Sequence, residues 1–220
     1  MIPPTLSGRR AFIRENTRPQ RPPHTPELTL HLADEITPIW RMTEEALEQI
    51  GLPPPFWAFA WAGGQALARY VLDHPEVVAG RAVIDFASGS AIVAVAAAKA
   101  GASRVLAADI DLFCEAAALV NAEANAVALD FTADNLLDAP APGWAEVILA
   151  GDICYEKPLA ERVLAWLGAA RARGATVLIG DPGRSYFPRE GLEKLAEYQV
   201  PTTRELEDME VKKTAVWRMP

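Results

Sequence analysis

Two acidic side chains stand where strand ends could present them to a ligand. Asp85 lies in the apolar run 83–86, just before a loop of small residues that contains Gly89, and Asp109 follows the apolar run 104–108. A tight loop lets the backbone approach a ligand, and an acid about twenty residues further on can accept hydrogen bonds from ribose hydroxyls. The pattern therefore predicts a nucleoside-binding βαβ unit with Asp109 at the ribose.

The loop itself departs from the usual glycine-rich pattern. Ala87 and Ala91 stand where glycines are common, which leaves Gly89 as the residue predicted to take a positive φ. A nicotinamide-dependent oxidoreductase would need a G-x-G-x-x-G loop, and this spacing does not supply one. That enzyme class and a non-catalytic binding module remain alternatives. Asp85 is predicted either to meet the amino group of a cofactor or to hold loop backbone N–H groups.

Further polar residues follow the next two predicted strands. Asp134 could accept a hydrogen bond from an adenine amine, or it could form an Asx turn with Asn135. Asp152 follows the fourth strand of the predicted sheet, where ligands bind in open α/β proteins, and Tyr155 is close enough to share that cleft. We predict a functional Asp152 rather than a helix cap, because Pro158 places the helix start later.

An aromatic segment precedes the sheet. Trp57 and Trp61 stand just before Gly63, and they belong either to the core or to a wall that closes over a ligand. Cys154 has no histidine near it in sequence that would favour the thiolate, so a packing role is predicted.

The order of elements predicts an α/β fold with a doubly wound, mostly parallel sheet. Apolar strands alternate with helices from residue 81 to a predicted helix at 189–197, and two strands at 202–206 and 213–219 close the chain. The last strand is predicted to run antiparallel, because no helix separates it from its partner. A short strand at 28–32 and a helix at 37–50 precede the sheet, followed by a helix at 65–73.

Composition excludes several classes of protein. The 220 residues carry a formal net charge of −8, which disfavours a nucleic-acid binder. The sequence has no apolar run long enough for a membrane span, no apolar signal-peptide core and no metal-ligand spacing. We therefore expect a cytoplasmic protein with free thiols, bound to neither metal, membrane nor nucleic acid. Residues 1–26 contain five arginines and six prolines and are predicted to be extended, as a disordered tail or as an arm for an acidic partner.

Together these segments resemble the class I, seven-strand protein lysine methyltransferases, which use S-adenosylmethionine. The resemblance covers the chain from about residue 13 and is nearest to the branch that modifies the electron transfer flavoprotein β subunit. It rests on the segment 54–68, the loop 83–91, Asp109 and the Asp152-x-x-Tyr155 element. It implies a Rossmann-like, seven-stranded methyltransferase domain at 81–220, after an extension and cofactor lid at 1–80.

The resemblance also implies roles for single residues. Asp152 and Tyr155 would be catalytic, with Asp152 orienting the incoming lysine ammonium. Apolar walls that offset the charge of Asp152 are expected from Phe56, Trp57, Tyr186 and Phe187. A ribosomal protein or a small-molecule amine remains an alternative acceptor. The implied S-adenosylmethionine site comprises Trp61, Gly63, Asp85, Ala87, Gly89, Asp109, Ile110, Asp134 and Asn135.

Overall fold

A seven-stranded sheet forms the centre of the computed structural model, which describes residues 3–34, 39, 54–188, 190–202 and 210–220. A separate antiparallel pair, β1 with β2, precedes it. In chain order the strands of the described residues are β1 (Arg18–Gln20), β2 (Leu30–Leu32), β3 (Ala82–Phe86), β4 (Arg104–Ala108), β5 (Asp130–Thr132), β6 (Val147–Gly151), β7 (Thr176–Asp181), β8 (Glu193–Pro201) and β9 (Val211–Arg218).

The strand order of the large sheet is β5-β4-β3-β6-β7-β9-β8. The pairs from β5 through β7 are parallel, whereas β9 is antiparallel to both β7 and β8. The prediction of a mostly parallel, seven-stranded sheet with an antiparallel last strand is confirmed. The chain moves outward from β3 to β5 and then returns to the other side of β3 with β6. This reversal opens a crevice at the carboxyl ends of β3 and β6, where open α/β sheets bind ligands.

Helices cover both faces of the sheet, and alternate residues of each strand point to opposite cores. Val83 of β3 faces a core with Leu67 and Val93, while its neighbour Ile84 faces a core with Val163 and Leu167. This period of two is what a strand buried on both sides requires. The α-helices of the described residues are α1 (Leu6–Asn16), α2 (Ala62–Asp73), α3 (Ile92–Lys99), α4 (Leu112–Ala124) and α5 (Lys157–Ala172).

The prediction of an extended arm over residues 1–26 is wrong for α1. Prolines flank positions 5–18 but do not interrupt them, and the side chain of Thr5 caps the helix by accepting from the Gly8 N–H. Ile13 is fully buried, and Arg9 donates to Glu115 at 3.0 Å. Three arginines, Arg9, Arg10 and Arg14, thus pair with acids of α4 and dock α1 on that helix.

The end of the chain also differs from its predicted elements. Residues 189–197 were expected to form a helix, yet β8 occupies Glu193–Pro201 and pairs with β9 from Glu193 opposite Arg218 to Pro201 opposite Val211. Long pairing with β9 outweighs the local helix propensity of this segment. The first strand of the closing pair thus lies earlier than 202–206. Residues 203–206 and most of the predicted helix 37–50 lie outside the described residues.

The described ranges contain no helix long and apolar enough to cross a bilayer. In the same ranges no group of three or more His, Cys, Asp or Glu side chains is placed to hold a metal ion. The division of the chain at residue 80 stays a prediction. Leu28, Leu30 and α2 share one core cluster with β3.

Candidate active site

A cavity of about 490 Å³ opens at the carboxyl ends of β3, β4 and β6, at the reversal of strand order. Its volume is in the range of small-molecule sites. The loops after β3, β4, β5, β6 and β7 all contribute residues to its walls. Of the predicted site residues, Asp85 and Gly63 do not line it; those that do are Trp61, Ala87, Gly89, Asp109, Ile110, Asp134, Asn135, Asp152 and Tyr155.

Asp109 joins the loops that follow β3 and β4. Its Oδ2 accepts from the Gly89 N–H at 3.0 Å and its Oδ1 accepts from the Asp111 N–H at 3.1 Å. The carboxylate is partly exposed to the cavity. A carboxylate anchored in this way has a set orientation and keeps lone pairs that can accept from ligand hydroxyls.

The loop after β3 takes left-handed backbone conformations at three positions. Gly89 has φ 50°, as predicted, and Ala87 and Ala91 have φ 54° and 59°. The left-handed conformation costs an alanine roughly 1–2 kcal/mol, because its Cβ crowds the backbone. The loop therefore follows the path that glycines would allow, at some cost in stability.

Asp85 lies beneath this loop, away from the large cavity. Its Oδ2 accepts from the Ala94 N–H of α3 at 2.8 Å, and its side chain is 2% exposed. Burial raises the pKa of the Asp85 carboxyl well above its usual range, and the Ala94 hydrogen bond lowers it. Asp85 also lines a small cavity of about 40 Å³, which shares Trp61 and Gly89 with the larger one. Its hydrogen bond is to the first turn of α3 rather than to the loop N–H groups that the sequence suggested, and it could face a ligand only through that small cavity.

Asp134 and Asn135 stand at the end of the cavity formed by the loop after β5. Thr132 Oγ1 lies 3.0 Å from Asp134 Oδ2 and accepts from the Asp134 N–H, while Asn135 caps a short 3₁₀ turn by accepting from the Leu137 N–H. Local hydrogen bonds therefore shape this loop, and both side chains remain exposed. The side chain of Ile110 is 72% exposed and forms an apolar edge beside them.

The aromatic segment divides into a core part and a wall. Trp57 is 1% exposed and stacks on Phe113 in a core cluster, so its predicted place in a substrate wall is wrong. Trp61 lines the cavity and donates from Nε1 to the Phe56 carbonyl at 3.1 Å. The Phe56 ring lies 5.9 Å from that of Tyr155, and these two rings line the cavity beside Asp152.

The side chain of Asp152 is held by groups from two distant parts of the chain. Its Oδ2 accepts from the Gly64 N–H in the first turn of α2 at 2.9 Å, and its Oδ1 accepts from Nη2 and Nε of Arg184 at 2.6 and 3.1 Å. The positive end of the helix dipole and the guanidinium both stabilise the ionised carboxylate. Asp152 itself has φ 56°, which is uncommon for a residue other than glycine and turns its side chain sharply after β6.

Glycines allow α2 to approach the strand ends that closely. A Cβ on Gly63 would lie 2.3 Å from the Gly180 carbonyl oxygen and 2.6 Å from Asp152 Oδ2. A Cβ on Gly151 would lie 2.9 Å from the Gly64 backbone. Gly63 was predicted to contact the cofactor; in the structure its contacts are with the strand ends and Asp152.

Arg184 and Asp181 belong to the site although the sequence analysis did not select them. Asp181 ends β7, and its Oδ1 accepts from the N–H groups of Gly183 and Arg184 at 2.7 and 2.8 Å. Burial raises the pKa of the Asp181 carboxyl to about 6. The Asp-Pro-Gly turn after the fifth predicted strand was the available signal, because it also lies at a strand's carboxyl end.

Tyr155 and Cys154 differ although they are neighbours. Tyr155 is 49% exposed at the cavity, and burial of the rest of its ring raises the pKa of its hydroxyl. Cys154 is buried in a core cluster, where burial raises the pKa of its thiol to about 12. Cys154 therefore packs as a neutral thiol, as predicted.

Comparison with known proteins identifies the family. The chain is 42% identical over 200 residues to the electron transfer flavoprotein beta subunit lysine methyltransferase of Danio rerio, covering 88% of this chain and 76% of that protein. The chain belongs to the electron transfer flavoprotein beta subunit lysine methyltransferase family. The human protein of the same name is 37% identical over 215 residues, covering 94% of this chain and 80% of its own length.

A family model and a solved structure provide two further likenesses, both to methyltransferases. Residues 65–159 match the family model "Ribosomal protein L11 methyltransferase (PrmA)". Magnesium protoporphyrin IX methyltransferase from Synechocystis, solved with bound S-adenosylmethionine, shares the fold, with a TM-score of 0.52 at 13% identity over 72% of this chain and 80% of that chain. The lysine methyltransferase family thus supports methyl transfer over the nicotinamide-dependent and non-catalytic alternatives.

Proposed function

We propose that this protein transfers methyl groups from S-adenosylmethionine to lysine side chains of the electron transfer flavoprotein β subunit. The observation that carries the proposal is one cavity with Asp109 at its nucleoside end and the Asp152–Tyr155 element at its other end. The names of the curated relatives support the choice of substrate.

The residues of the cavity fit S-adenosylmethionine by their chemistry. Asp109 would hold the ribose, with Ile110, Asp134 and Asn135 beside the adenine. Trp61, Ala87 and Gly89 would line the methionine end, with Asp85 behind the loop. When bound, the cofactor supplies an electrophilic methyl: the amine lone pair forms the N–C bond, and the C–S electron pair stays on sulfur.

The other residues would prepare the amine. A lysine has an unperturbed pKa of about 10.4, so a proton must leave before attack. Asp152 orients the ammonium as it enters, and the proton leaves through Asp152 or through water. The rings of Phe56 and Tyr155 shield the amine from solvent, which favours its neutral form. Alignment of the lone pair within roughly 3–3.5 Å of the methyl carbon then gives a reactive geometry.

Intact-mass analysis tests the proposal. Purified β subunit is incubated with the enzyme and S-adenosylmethionine, and we expect mass gains in steps of one methylene that peptide mapping assigns to lysine. Ribosomal protein L11 is run in parallel, because the PrmA match makes it the second candidate. Methylation of L11 without the β subunit would overturn the substrate, and unchanged masses of both proteins would overturn the function.

We also propose that the protein is cytoplasmic. Both of its cysteines are buried free thiols, which suits a reducing compartment. Cell fractionation followed by immunoblotting tests this location, and recovery with a membrane or secreted fraction would contradict it.

A further inference from the structure

Arg184 lies between the predicted catalytic carboxylate and the aromatic wall. Its guanidinium donates twice to Asp152 Oδ1, and its carbon Cζ lies 5.9 Å from the centre of the Trp61 ring. The arginine side chain is 20% exposed and lines the same cavity as Asp152 and Tyr155. The Asp181 carboxylate accepts from the backbone N–H groups of Gly183 and Arg184. These hydrogen bonds fix the backbone of the turn from which the guanidinium reaches Asp152.

The charge of this pair matters for an amine acceptor. An isolated carboxylate close to an ammonium would stabilise the charged form of the amine and so raise its pKa. That interaction would help lysine to enter but would oppose loss of its proton. A guanidinium paired with the same carboxylate cancels most of this effect and repels a second cation.

The other titratable groups around the pair are two neutral ones and several acids. Cys154 keeps its proton in the neutral range, because its pKa is about 12, and the pKa of Tyr155 is raised. Asp181, with a pKa of about 6, adds a negative charge above that pH. Two more acids, Glu156 and Asp109, lie near enough to Tyr155 for their charges to add to the effect of burial on its pKa. Against these acids, the guanidinium of Arg184 supplies a positive charge in direct contact with Asp152.

We propose that Arg184 is a positioning residue that lets the acceptor lysine become uncharged, by cancelling the charge of Asp152 while holding that carboxylate in place. The proposal rests on the proposed lysine methyl transfer. It adds a role that no motif of the sequence assigned.

Three substitutions separate charge from hydrogen bonding. Arg184→Lys keeps the charge, Arg184→Gln keeps a donor without charge, and Arg184→Met removes both. Arg218→Gln is the matched control, since Arg218 pairs with Glu193 and lies opposite Leu178, away from the carboxyl end of β7. Circular dichroism and S-adenosylhomocysteine affinity establish that each variant folds and binds.

The first measurement is the rate of β-subunit methylation from about pH 7 to about pH 10, above the titration of Asp181. We expect the acidic limb to move up by about one pH unit or more in Arg184→Gln and Arg184→Met, with at least about a tenfold loss at pH 7 that high pH recovers. Arg184→Lys should keep most of the wild-type profile, and Arg218→Gln should keep all of it.

The second measurement does not depend on turnover. Calorimetry of β-subunit binding to the enzyme loaded with S-adenosylhomocysteine, in two buffers of different ionisation enthalpy, counts the protons released. We expect the wild type to release more protons at pH 7 than Arg184→Gln and Arg184→Met do.

The outcomes distinguish the two proposals. A wild-type enzyme that leaves the β subunit unmodified overturns the proposed function and the role of Arg184 with it. Active enzyme whose Gln and Met variants keep the wild-type pH profile, even at a lower rate, overturns the role of Arg184 alone. If Arg184→Met does not fold, the difference between the pH profiles of Arg184→Gln and Arg184→Lys decides whether the role of Arg184 holds.

Discussion

The two ends of the cavity hold an aspartate in different ways. Asp109, at the proposed nucleoside end, is oriented by two backbone N–H groups from its own βαβ unit, one of them 20 residues away. Asp152, at the acceptor end, is held by the Gly64 N–H from 88 residues away and by the guanidinium of Arg184 from 32 residues away. A local loop thus positions one carboxylate, whereas a helix end and an arginine position the other.

Under the proposed function, this difference separates cofactor binding at Asp109 from methyl transfer at Asp152. Backbone donors set the direction of Asp109, so its carboxylate can accept from ligand hydroxyls. Asp152 is mostly buried against a cation, an arrangement that governs charge at the point where an amine must lose its proton. We therefore expect substitutions at the two ends to affect different measured quantities.

The largest effect is expected from removing the two carboxylates in turn. Asp152→Ala should lower the methyl-transfer rate by about 10²–10⁴-fold while leaving most of the affinity for S-adenosylhomocysteine. Asp109→Ala should instead weaken that affinity by about 10–100-fold, because it loses hydrogen bonds to an ionised group. Single-turnover kinetics and calorimetry measure the two quantities, with Asp152→Asn as the control for shape. Equal loss of cofactor affinity in both variants would remove the distinction.

The next effect concerns the packing that is special to the acceptor end. Gly63→Ala would place a methyl against the Gly180 carbonyl and Asp152 Oδ2, so we expect about 1–3 kcal/mol of destabilisation and a displaced Asp152. Gly143→Ala is the control, since a Cβ there has open space and no left-handed φ, and it should change stability by less than about 0.5 kcal/mol. Urea unfolding measures both. Equal stability of the two variants would contradict the close contact.

A pH effect on stability is expected from Asp181, which lies beside the acceptor end. The folded pKa of Asp181, about 6, lies above its ordinary value of 3.8, so the folded state binds more protons between these values. Stability is therefore lost as the pH rises from about 4 to about 6, by roughly 3 kcal/mol. Asp181→Asn should flatten this slope in urea unfolding measured across that range. Parallel curves for variant and wild type would show that Asp181 does not titrate in this way.

The smallest effect belongs to the nucleoside end. Ala87→Gly relieves a left-handed alanine at an exposed position, and this gain exceeds the backbone entropy that a glycine loses on folding. We therefore expect the protein to be stabilised by up to about 1 kcal/mol. Ala91→Gly should gain less, since its methyl is fully buried and its removal costs about 0.8 kcal/mol. Thermal unfolding compares the two. A destabilised Ala87→Gly would mean that the loop is not strained there.

Local patterns predicted the sheet and most of the cavity. Strands β4 and β6 are apolar runs that end just before an acid, and β3 carries Asp85 as its penultimate residue. The reversal of strand order brings these strand ends together. The errors arose where distant partners decide the structure: α1 is stabilised by α4, and β8 by β9. Trp57 and Trp61 have similar sequence surroundings, yet packing buries one and leaves the other at the cavity.

The sequence by itself determined the alternation of strands and helices, the nucleoside loop and the position of Asp109, because these depend on period, turn residues and short spacings. Only the tertiary structure decided that Gly63 meets Gly180, that Asp85 faces α3, and that Arg184 reaches Asp152. The Arg184–Asp152 and Gly64–Asp152 contacts join residues 32 and 88 positions apart; they depend on how layers pack, and no local pattern records the partner of a side chain at that distance.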